Sequence, residues 1–161
     1  MPDVLWDDVK DYFGPETEGC LPDVFVQGTN AGDCQAFLGL IPARGWWSEY
    51  SEGGVVMPLP GAGQVLSRPS DAECPQLRVR PVPGMEAIFR FLPDEEIDFD
   101  VDLRELRGQE RLDLLCDFLR TIGSHLGKPV VMTPEGMYNR AILGYDVEAG
   151  RVVFLAGRRI A

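Results

Sequence analysis

Phe91-Leu-Pro-Asp-Glu-Glu-Ile97-Asp-Phe-Asp-Val-Asp-Leu103-Arg-Glu-Leu106 is the stretch that decides the fold. From Ile97 onward it alternates with period two, so Ile97, Phe99, Val101 and Leu103 face one way and Asp98, Asp100 and Asp102 the other. One face of a sheet is therefore expected to be buried, and the other to carry a row of carboxylates. Gln76-Leu-Arg-Val-Arg80 alternates in the same manner. If Arg78, Arg80 and Arg90 lie across from the aspartates, cross-strand ion pairs neutralise the row; otherwise it is an exposed anionic patch.

Working outward, short apolar runs recur between turn residues at Asp23–Gln27, Gln35–Ile41, Val55–Leu59, Gln64–Ser67, Gln76–Val82 and Glu86–Leu92. Their spacing, with no helix expected between them, points to an antiparallel meander rather than βαβ units. Residues 3–13 read as a short helix capped by Asp3 and ended by Gly14-Pro15. Leu112, Leu115, Cys116, Leu119, Ile122 and Leu126 follow helical spacing and predict a long helix over 108–126, closed by Gly127 and Pro129. Val130–Thr133 and a hairpin over 141–156 complete the chain. The expected fold class is α+β: residues 1–161 form a single domain, mainly antiparallel sheet, packed against the long helix of the C-terminal half.

The 161 residues carry 26 acids against 15 bases, a net charge of −11. Seven acids face one base in residues 1–23, and again in residues 94–106. Such a balance argues against nucleic-acid binding, which needs Lys and Arg to neutralise phosphates. No apolar run is long enough to span a membrane. The N-terminus lacks the basic-then-apolar order of a secretory signal, so a cytoplasmic protein is expected. Cys20, Cys34, Cys74 and Cys116 form no Cys-x-x-Cys pair. Cys116 falls on the helical stripe; the other three are read as free thiols in loops or strand edges.

Chemistry is sparse. Aspartates two apart in a strand stand roughly 6.5–7 Å apart along the backbone and do not converge easily on one ion, so neither a metal nor another cofactor is expected. His125 is the lone histidine, in the last turn of the long helix, where a cation complements the helix dipole. Its neighbour Ser124 diverges from it, and no nucleophile elbow is present, so no catalytic residue is assigned and a non-enzyme is favoured. The candidate binding residues are Trp46, Trp47 and Tyr50, of a type enriched in contact hot spots, together with Asp98, Asp100 and Asp102.

The leading expectation is an acidic protein-binding domain, of the inhibitor or immunity type, that docks a basic protein. One alternative is an assembly subunit, homo-oligomeric through the edge of the tail hairpin. The other is a small ligand-binding protein or enzyme with its site in the concavity of the sheet.

Overall fold

In the computed structural model the described residues are 2–14, 21–26, 28–61, 75–91, 97–135 and 140–156. They form α1 (Trp6–Val9), a 3-10 turn (Lys10–Tyr12), β1 (Asp23–Val26), α2 (Ala31–Arg44), β2 (Trp47–Glu52) and β3 (Val55–Met57). Then come β4 (Gln76–Val82), β5 (Met85–Phe91), β6 (Ile97–Asp100), a 3-10 turn (Leu103–Glu105) and α3 (Gln109–Leu126). Strands β7 (Val130–Thr133), β8 (Leu143–Asp146) and β9 (Arg151–Phe154) follow.

All nine strands join one antiparallel sheet in the order β3-β2-β4-β5-β6-β1-β7-β8-β9. The α+β class holds, and the described residues form one domain. Strand β1 is inserted between β6 and β7, so the meander is interrupted at its centre. The run Gln64–Ser67 lies outside the described residues, as do Cys20 and Cys74.

Two expected elements are corrected. Gln35–Ile41 is not a strand but the body of α2. Asn30 caps it: its Oδ1 accepts from the Asp33 N–H at 3.0 Å, and the Asp33 carboxylate accepts from the Asn30 N–H at 3.0 Å. That reciprocal pair satisfies two of the donors a helix start leaves orphaned. Cys34, Phe37, Leu38 and Ile41 then bury one helical stripe, so Cys34 belongs to the core and not to a loop. The first helix is the second correction: α1 spans four residues, and Asp3 does not cap it. Asp3 instead accepts from Arg120 at 2.6 Å and from the Val152 N–H at 3.0 Å, clasping the N-terminus to α3 and β9. Gln109 adds to the clasp by accepting from the Trp6 N–H and donating to the Val4 carbonyl.

Helices α2 and α3 cover one face of the sheet, and the core between them is aromatic. Phe37 meets Phe89 at 4.5 Å, Phe89 meets Phe99 at 4.4 Å, Phe99 meets Phe118 at 5.6 Å, and Phe118 meets Trp46 at 5.0 Å between ring centroids. Ring pairs at such separations contribute beyond their area.

Helix α3 approaches β8 closely because Gly123 has no side chain. A Cβ there would stand 2.2 Å from the Tyr145 ring. Gly123→Ala is therefore expected to destabilise the protein by about 1–3 kcal/mol through overpacking, despite the better helix propensity of alanine. Chemical denaturation of the variant checks it, and an unchanged midpoint would refute the close contact.

Candidate functional site

The strand register determines which residues share the sheet face turned away from the helices. Phe89, Phe99, Val24 and Met132 stand in line on the helical face. Asp100 of β6 is directly opposite Asp23 of β1, which is directly opposite Thr133 of β7. Residues paired in this way project to the same face. Asp98, two residues along β6, projects with them, as strand alternation requires. The result is a carboxylate cluster: oxygens of Asp23, Asp98 and Asp100 all lie within 4.8 Å of one another.

The cluster is largely withdrawn from solvent. Asp100 is 5% exposed and Asp23 6%, Asp98 is half-buried, and Thr133 is fully buried at 0%. Arg90 of β5 faces Asp98 in register but reaches diagonally to pair with Asp100. Burial pushes the Asp100 carboxyl up to about 6. The Arg90 guanidinium opposes that shift, whereas the hydrogen bond with Asp23, its charge, and the charge of Glu135 on the loop after β7 reinforce it. The hydroxyl of Thr133 finds no hydrogen-bond partner among the described residues. An unmatched buried hydroxyl is costly, so Thr133→Val is expected to leave stability unchanged or to raise it by about 1 kcal/mol. Urea denaturation measures this, and a large loss would show that the hydroxyl is held within the fold.

Asp102 does not join the cluster. Strand β6 ends at Asp100, and the Asp102 side chain accepts from the Arg104 backbone N–H at 2.9 Å and pairs with the Arg104 guanidinium at 2.8 Å. These hydrogen bonds hold its carboxyl below the usual range. The anionic face that alternation suggests is therefore divided: two aspartates turn into a shared site and the third caps a turn. Arg78 and Arg80 do not neutralise the row. Both pair with Glu86 at 2.9 Å, and Arg78 also reaches Glu49 at 3.3 Å. The Glu86 carboxyl is held low chiefly by its hydrogen bonds to Arg78.

The aromatic candidates are likewise separated. Tyr50 is 2% exposed and belongs to the core, its hydroxyl donating to Glu52 at 2.7 Å. Trp46 packs on Phe118. Trp47 alone faces outward, 43% exposed, with the Arg80 guanidinium 4.3 Å from its ring centroid. Trp46 lies in the link between α2 and β2, and only Trp47 belongs to the strand, so no three-residue aromatic surface forms.

His125 places Nε2 3.2 Å from the Ala36 carbonyl of α2, on the helical side of the sheet. Burial pushes the Cys116 thiol up to about 12, which leaves it inert at neutral pH. The cavity beside it, about 330 Å³ and lined by Pro2, Asp3, Asp113, Cys116 and Arg120, contains the N-terminal clasp already described. A second concavity of about 320 Å³ lies across the outer face of β7–β9. Val131, Gly144, Val153 and Leu155 line it, and Asp146 and Glu148 lie at its rim.

Sequence reasoning missed Asp23 and Thr133. Asp23 opens a short apolar run and Thr133 closes one, positions where a polar residue reads as a strand terminus, and only the insertion of β1 between β6 and β7 brings them to Asp100. No helix among the described residues is long and apolar enough to cross a membrane. No protein-family model matches the chain, and no curated protein and no solved structure does so either.

Proposed function

We propose that the protein is a small ligand-binding domain and that its ligand is a cation held at Asp23, Asp98 and Asp100. The convergence of three carboxylates on the outer face of the central strands supports this reading more than any other observation. A sheet surface that serves only solubility keeps its acids apart and hydrated. Here three are brought together, and two of them are almost wholly buried. Like charges held close together away from water are costly, and a bound cation relieves that cost. Two cation classes suit the surroundings. A compact metal ion would sit among the carboxylates, whereas an organic ammonium would lay its apolar body along the concavity that begins at Val131.

Thermal unfolding of wild type and Asp23→Asn, with Mn²⁺, Ca²⁺ and spermidine in turn, tests the reading. Ligand at a hundred times its dissociation constant stabilises by about 2.7 kcal/mol, roughly 5–10 °C in a domain of this size. At least one cation should produce such a rise in the wild type and lose it in Asp23→Asn. Equal responses from both proteins, or none from either, would contradict the proposal.

Docking to a basic protein is a second reading, favoured by a different surface from the one alternation suggests. Asp7, Asp8 and Asp11 are exposed on the N-terminal turns, and Glu110, Asp113 and Asp117 are exposed on α3, to which those turns are clasped. Binding through this surface would weaken steeply with salt and would not respond to Asp23→Asn.

A further inference from the structure

We infer that the cation is a single oxygen-preferring divalent metal ion, of the Ca²⁺, Mg²⁺ and Mn²⁺ class, and that Thr133 supplies a fourth ligand beside Asp23, Asp98 and Asp100. The inference rests on the cation-binding reading above and narrows it to one chemical class.

Four features carry it. Such an ion binds oxygens at roughly 2.0–2.6 Å, so ligands on opposite sides of it stand about 4–5 Å apart. The carboxylate oxygens of the three aspartates fit inside that span, lying within 4.8 Å of one another. Burial is the second feature. The near-complete enclosure of Asp23, Asp100 and Thr133 suits a monatomic guest better than an ammonium that must bring a hydrocarbon stem.

Charge is the third. Carboxylates packed this closely repel one another, and a divalent ion relieves that repulsion more fully than a monovalent one. Donor chemistry is the fourth. The cluster offers carboxylates and a hydroxyl; His125 lies across the sheet against α2, and Cys34 and Cys116 are buried in the helical core. Hard oxygen donors suit calcium, magnesium or manganese, and among the described residues the imidazole and thiolate that zinc and copper sites favour are absent from the cluster. Thr133 is the independent pointer. Its side chain is fully buried, it stands beside Asp23 in register on the same face, and its hydroxyl has no partner among the described residues. A metal ion accepts the lone pair that the fold leaves unused.

Isothermal titration of chelator-treated protein with Mn²⁺, Ca²⁺, Mg²⁺ and spermidine at pH 7.5 and 0.15 M salt tests the assignment on the full chain. Wild type should bind at least one of the metals at one site per chain, and spermidine should not compete. Affinity should fall at least about tenfold in Asp23→Asn and severalfold in Thr133→Val, and should be retained in Thr133→Ser, with the fold of each confirmed by circular dichroism. Thr133→Val keeps the charge of the site, so its loss cannot be ascribed to general electrostatics. Spermidine binding that depends on Asp23, without any metal response, would overturn the metal while sparing the cation-binding reading. Metal binding that ignores both Asp23→Asn and Thr133→Val would place the ions on surface acids and overturn both.

Discussion

Phe99→Ala is expected to destabilise the protein by about 3–5 kcal/mol, enough to unfold a domain of ordinary stability at moderately raised temperature. Phe99 is the middle ring of a chain that runs from Phe37 on α2, through Phe89 on β5, to Phe118 on α3. Its loss therefore opens a cavity where both helices meet the sheet, and large neighbours held on two elements cannot collapse into it fully. Replacement by Leu should cost markedly less, because most of the volume is kept. Urea denaturation of the two variants measures both effects. A loss below about 1 kcal/mol in Phe99→Ala would mean that the aromatic chain does not join the helices to the sheet.

Asp100→Asn is the second substitution with a large expected effect, and its sign separates a functional cluster from a structural one. The Asp100 carboxyl rises from 3.8 to about 6 on folding, so between those values the native state holds a proton that the unfolded chain has released. Stability is therefore expected to fall as pH rises through that window, by as much as about 3 kcal/mol, and to stay low above it. Asparagine mimics the protonated form. The variant should be more stable than wild type near pH 7.5 in the presence of chelator, and its stability should be flatter between pH 4 and 6. Arg90 loses its partner, but it is half exposed and regains water, so that loss is small. If the pair were instead a stabilising ion pair, Asp100→Asn would be less stable than wild type throughout the neutral range. Equilibrium unfolding at a series of pH values distinguishes the two.

The parts of this architecture that were legible in the sequence are those set by local pattern. Alternation from Ile97 to Asp100 placed the two faces of β6 correctly, and the spacing from Leu112 to Leu126 located α3. Helix α2 was misread because Phe37-Leu38 and Leu40-Ile41 form adjacent apolar pairs, which resemble a buried strand as readily as a helical stripe. The signal that resolves them is the Asn30–Asp33 capping pair, which sits within a segment that otherwise reads as a turn.

The site was only half legible. Strand alternation shows that Asp98 and Asp100 share a face, but it cannot show what stands beside them. Asp23 and Thr133 reach Asp100 through pairings between strands distant in sequence, and no local pattern encodes that register. Asp102 fails to join for a local reason: its carboxylate turns back to the Arg104 N–H and ends the strand. Of the three arginines that alternation leaves as possible countercharges, Arg90 reaches Asp100, whereas Arg78 and Arg80 are drawn away by Glu86, on the neighbouring strand.

The most direct test of the carboxylate cluster as a cation site is an anomalous difference map from a crystal grown with Mn²⁺. The account predicts one strong peak about 2.0–2.6 Å from oxygens of Asp23, Asp98 and Asp100, with the Thr133 hydroxyl turned toward it. A map with no peak there, with Arg90 still seated on Asp100 at saturating metal, would contradict it.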